Sequence, residues 1–96
     1  MIPEAIIELR FITTSDGGRN GPVFGQQFGC PLMVDGEYFD CRLLLNGRRL
    51  ELGQIYQVPL LFLSPNLVLP KLSVGKTIAL WEGKEIAKGK VIELPK

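Results

Sequence analysis

The residues best suited to gripping an anion or a partner fall in two places. One is the glycine-rich stretch "TTSDGGRNGPVFGQQFGC", Thr13 to Cys30, with Arg19 near its centre; the other is the C-terminal lysine group Lys84, Lys88 and Lys90. A glycine-rich loop cradles a phosphate when it reads G-x-x-x-x-G-K-[ST] between a strand and a helix, so that backbone N–H groups and a helix N-terminus converge on the anion. "GGRNGPVFGQQFG" lacks the Lys-Ser/Thr ending, no helical pattern follows it, and its spacing fails the dinucleotide fingerprint. GTP binding is therefore not expected. A connection this long is uncommon unless it is functional or packed through its own side chains, and Phe24 and Phe28 are expected to hold it down.

Catalytic groups are sparse. The chain has no histidine, which removes the commonest general base and metal ligand. Cys30 and Cys41 without histidine do not make a zinc site. Ser15, Ser64 and Ser73 have no nucleophile-elbow sequence around them, and the carboxylate pairs Asp35/Glu37 and Glu82/Glu85 flank turn signals where acidic residues are ordinary. The reading is of a non-enzyme with no catalytic residue, cofactor or metal.

Charge narrows the partners. Formal net charge is +1 over 96 residues, with 46% hydrophobic and 22% charged, so no global field draws in nucleic acid or an anionic membrane. The distribution is uneven, however: every arginine lies at or before Arg49 and every lysine at or after Lys71. Arg19, Arg48, Arg49, Lys84, Lys88 and Lys90 are the candidate partner-binding residues, weighed against the ordinary role of edge lysines in discouraging sheet-to-sheet association. The longest apolar run, Val58 to Leu63, falls far short of the ~20 residues that span a bilayer. The start, Met1-Ile2-Pro3-Glu4, does not read as a signal peptide. A cytoplasmic protein with reduced cysteines and no membrane contact is expected.

The elements that must position these residues are strands. Ile7, Leu9 and Phe11 alternate with Glu8 and Arg10 from Ala5 to Thr14. Phe28 to Val34 and Tyr38 to Leu45 flank Asp35-Gly36, a tight hairpin turn signal, and Cys41 shares the apolar face of Phe39, Leu43 and Leu45. Asn46-Gly47 predicts a second hairpin into a strand at Arg48 to Leu52. Ile55 to Leu63 is a longer strand whose Pro59 marks an edge or bulge. Leu67 to Val74 is too rich in proline for a regular helix and reads as a loop packed by its leucines. Thr77 to Trp81 and Glu85 to Leu94 form the closing pair around Glu82-Gly83-Lys84. With no 3.6-residue periodicity, repeat or linker, one domain over residues 1–96 is expected: an antiparallel sandwich or a closed barrel, closure having the advantage of removing unpaired edges.

Several segments resemble the third, C-terminal β-barrel domain of elongation factor Tu. "SDGGRNGPVF" is similar to that family's first-strand ending, its acidic-Gly-Gly-Arg segment and following aromatic. "LELGQIYQVPLLFLSP" resembles its long apolar strand with a terminal proline, and "LSVGKTIALWEGKEIAKGKVIEL" its closing hairpin; together they cover about two thirds of the chain in order. The resemblance implies an all-β, six-stranded antiparallel Greek-key closed barrel and a translation-related binding module. In the family this barrel contacts aminoacyl-tRNA and the exchange factor, while nucleotide binding belongs to a separate domain. Asp16 to Arg19 match the family's loop and Glu82 to Lys84 its closing turn. "GQQFGC", however, stands where the family has a basic and aromatic "GYRPQF". Two readings follow: a module contacting RNA or a translation-linked protein, or a regulatory or immunity-type protein-interaction barrel without RNA binding. The second would use Tyr38, Tyr56 or Trp81 as anchors, unless these aromatics fill the barrel. The chain is expected to be a monomer, or a homodimer should the barrel fail to close.

Overall fold

In the computed structural model, which describes residues 2–95, a twice-repeated geometric constraint organises the chain: each long strand turns an apolar face inward and needs partners on both edges. The strands are β1 (Ala5–Phe11), β2 (Val23–Phe24), β3 (Gln27–Val34), β4 (Glu37–Leu44), β5 (Arg49–Leu50), β6 (Ile55–Phe62), β7 (Thr77–Trp81) and β8 (Glu85–Glu93). Six of them close an antiparallel barrel in the order β1-β6-β4-β3-β7-β8. Within it, β3, β4 and β6 follow one another as a meander and β7 returns to lie beside β3, the Greek-key arrangement.

The interior follows from the period-two pattern. Ile7, Leu9 and Phe11, Leu32 and Val34, Cys41 and Leu43, Val58 and Leu60, and Ile78 and Leu80 are all buried. On β8 two of the three inward positions are small, Ala87 and Gly89, beside buried Val91. Gly89 stands opposite both Leu9 and Ile78, and a Cβ there would lie 1.8 Å from the Glu8 carbonyl oxygen. The missing side chain lets β1 and β8 approach and leaves room for large neighbours.

Both prolines inside strands sit where a ladder stops. β4 pairs with β6 only from Leu60 to Phe62, so Pro59 lies just beyond the last pair. β3 pairs with β7 only through Leu32↔Leu80 and Met33↔Ala79, so Pro31 does the same on the other side. Neither missing N–H costs a β-ladder bond there.

Three local expectations need correction. Asn46-Gly47 does turn with both residues at positive φ, and the Arg48 N–H closes it on the Leu45 carbonyl. No hairpin results, because both edges of β4 are already taken by β3 and β6. The chain pairs instead with β2, Val23↔Leu50 and Phe24↔Arg49, a two-stranded ribbon outside the barrel sheet. Second, the first strand stops at Phe11, and Thr14–Asp16 form a 3-10 turn. Third, the Leu67 to Val74 region is partly helical: Pro65–Val68 is one α turn, with Pro65 pre-set for the first helical position, and Leu69–Lys71 is a 3-10 turn. Val68 and Leu72 are buried there, so the packing half of that expectation holds. Among the described residues, no helix is long and apolar enough to cross a membrane.

Candidate binding surfaces

Arg19 is the best-held of the candidate cations. The Thr13–Cys30 loop is anchored through Gly18, where a Cβ would lie 1.9 Å from the Ile12 carbonyl oxygen, and through buried Val23. Phe28 packs against the core, but Phe24 is 65% exposed and does not hold the loop. Alternation in β2 turns Val23 inward and Phe24 out. The Arg19 guanidinium lies 5.0 Å from the Phe28 ring centroid and donates from Nη1 to Glu82 Oε1 at 2.7 Å. Its Nε donates to the Gly21 carbonyl at 3.3 Å, while Thr14 Oγ1 donates to the Arg19 carbonyl at 2.6 Å. Stacking and two donated hydrogen bonds thus fix a side chain that would otherwise be free, and Thr14 pins its backbone carbonyl.

Arg19 and Lys84 do come together. With Asn20, Gly21 and Glu82 they line an open polar cleft of about 340 Å³ between the loop and the β7–β8 turn. Lys84 has no acidic partner within salt-bridge distance among the described residues.

The other four cations do not join them in one patch. Lys88 and Lys90 stand on the outer face of β8, facing Glu85 at 3.6 Å and Glu8 at 3.8 Å. Arg49 is carried by the β2–β5 ribbon, with Nε 2.6 Å from Glu51 Oε1 and its guanidinium 6.0 Å from the Phe24 ring. Arg48 donates from Nη2 to the Gln57 carbonyl at 2.9 Å, capping β6 where β4 no longer reaches it. Four of the six candidates therefore face carboxylates, and a fifth is spent on backbone. Such exposed pairs add only ~0–1 kcal/mol of stability, but they cancel the local field a polyanion would read.

The aromatics separate cleanly. Tyr56 faces the core, and its hydroxyl accepts a hydrogen bond from the Glu51 N–H at 2.9 Å. Tyr38 and Trp81 are on the outer wall, because Ile78 and Leu80 of β7 and Cys41 and Leu43 of β4 take the inward positions. Their rings meet edge to face, 5.6 Å between centroids and 64° between planes. Tyr38 is 51% exposed, Trp81 half-buried. Met33 of β3 stands opposite Tyr38 on one side and Ala79 on the other, two residues before Trp81. Beyond Ala79 the strands β3 and β7 part, leaving an open groove of about 270 Å³ beside Met33, Thr77 and Ala79, edged by Glu85 and Lys88. That is below the ~300–1,000 Å³ usual for small-molecule sites and suits a single inserted side chain.

The far end of this wall is braced by ion pairs. Lys76 Nζ lies 2.9 Å from Asp35, and Lys71 pairs with Glu37, tying the Asp35-Gly36 turn to the helical connection. Lys71 is held above the ordinary lysine range by its hydrogen bond to Glu37 and by that carboxylate's charge. The two thiols are opposite one another in the β3–β4 register, both free and buried. The hydrogen bond that the Cys41 S–H donates to Cys30, followed by burial, pushes the Cys41 thiol far above its ordinary range, so it stays protonated and inert.

Sequence reasoning missed the Tyr38–Trp81 contact and Glu82 as the partner of Arg19. Both join residues far apart in the chain, and only the strand order brings them together. No family model matches the chain, and no curated protein matches it.

Proposed function

We propose that this protein is a non-catalytic binding module that docks a protein partner on the outer wall formed by β3, β4 and β7. The observation that carries the reading is the edge-to-face pair of exposed Tyr38 and half-buried Trp81 on the same wall as a groove floored by Met33 and Ala79. Aromatic anchors next to a pocket, rimmed by charge, are the usual centre of a protein interface.

Capture from the source cell with the tagged wild-type chain and a Tyr38→Ala variant tests this. A protein partner retained at high salt by wild type and weakened about 30-fold by Tyr38→Ala is expected, the scale of a ~2 kcal/mol hot spot. Equal retention by both chains would refute it.

The alternative, an RNA-contacting or translation-linked module related to the third barrel of elongation factor Tu, has one observation in its favour: the cleft that joins Arg19 to Lys84. The Greek-key order of the barrel is compatible with that kinship. Under this reading RNA is recovered in the capture, is released steeply as salt rises, and is lost on Lys84→Glu rather than on Tyr38→Ala.

A further inference from the structure

The chain contains two Asn-Gly pairs, Asn20-Gly21 and Asn46-Gly47, and the structure treats them differently. Deamidation at such a pair begins when the glycine backbone nitrogen attacks the asparagine Cγ. A C–N bond forms, ammonia leaves, and the five-membered succinimide is opened by water to aspartate or isoaspartate. No oxidant, metal or enzyme is needed. The attacking nitrogen must lose its proton and swing toward the side chain, so a hydrogen bond that holds its N–H, or a turn that fixes the backbone, slows the reaction.

Asn46-Gly47 is restrained on both counts. The Gly47 N–H donates to the Gly25 carbonyl at 2.9 Å, and the turn is closed by the Arg48 N–H on the Leu45 carbonyl at 3.0 Å. Asn20 is exposed in a bend, and the Gly21 N–H makes no hydrogen bond among the described residues. Nothing lies within 4 Å of the position a Gly21 Cβ would take, so the space needed for cyclisation is open.

We propose that Asn20 is a site of spontaneous deamidation and that the reaction resets the charge of the Arg19–Lys84 cleft. The cleft holds two cations, Arg19 and Lys84, against the single carboxylate of Glu82. A new carboxylate at position 20 cancels that excess, giving Lys84 an acidic neighbour and competing with Glu82 for Arg19. The inference does not depend on which partner the barrel binds.

The test is peptide mapping by mass spectrometry after prolonged incubation at mildly alkaline pH, on the folded chain, on the same chain in urea, and on Gly21→Ala. The open space at Gly21 lets the variant fold, while the added methyl hinders cyclisation. In the folded chain Asn20 is expected to convert about tenfold faster than Asn46, the cost of freeing the held Gly47 N–H and its turn. In urea the two convert alike, and Gly21→Ala suppresses conversion at Asn20 alone. Asn46 keeping pace with Asn20 in the folded chain, or Asn20 staying intact while the urea sample converts, would overturn the proposal.

Discussion

Cys41 shows how one side chain ties the core to solution conditions. Its thiol is held protonated by the facing Cys30 and by burial, whereas in the unfolded chain it ionises around its ordinary value of 9.0. Below that pH both states carry the proton and stability is unaffected. Above it the unfolded chain releases a proton that the folded chain keeps, so folding stability falls by about 1.4 kcal/mol per pH unit. Urea unfolding under reducing conditions from about pH 8 to 10 should show a total fall of about 1.4 kcal/mol, steepening as the pH passes the unfolded thiol's value, and Cys41→Ala should flatten the curve by that one-proton amount. Superimposable profiles for the two chains would mean that the thiol is not held. At this scale the sequence was informative: alternation with Phe39 and Leu43 places Cys41 in the core. It singled out Arg19 but not what holds it, because Glu82 lies 63 residues away and becomes a neighbour only when the β7–β8 turn folds beside the loop.

Among the elements, the β1–β8 seam is the most sensitive to a single atom. Gly89→Ala puts a methyl carbon onto the Glu8 carbonyl, and the strands must part. Overpacking of this kind costs about 2–3 kcal/mol, which lowers the Tm of a chain this size by roughly 10–20 °C. A melting curve unchanged by Gly89→Ala would show that the seam is looser than described. The six barrel strands were legible because each has five or more residues of alternating pattern flanked by glycine or proline turns. Of the β2–β5 ribbon, β5 falls within the strand read at Arg48 to Leu52, whereas β2 and its pairing with β5 were not legible, since two residues carry no period. Asn46-Gly47 shows the limit in another way: its local turn chemistry is right, yet the strand that follows goes elsewhere, because β4 has no free edge.

Over the whole molecule, closure leaves the outer wall as the surface on which a partner can act. The six basic candidates are spread around the barrel and mostly neutralised, while Tyr38 and Trp81, which the sequence could place only on alternative faces, converge beside the β3–β7 groove. Composition excluded a large electrostatic footprint, but it could not locate this pair, because their contact depends on β7 returning to lie beside β3. The most direct measurement places a photo-crosslinking residue at position 38 and, in a separate chain, at position 55. Ile55 is 66% exposed and lies at the start of β6, paired with Arg10 of β1 and outside the stretch of β6 that pairs with β4. A discrete protein adduct is expected from position 38, insensitive to salt and absent from position 55. Equal adducts from both positions, or adducts to RNA from position 38, would contradict it.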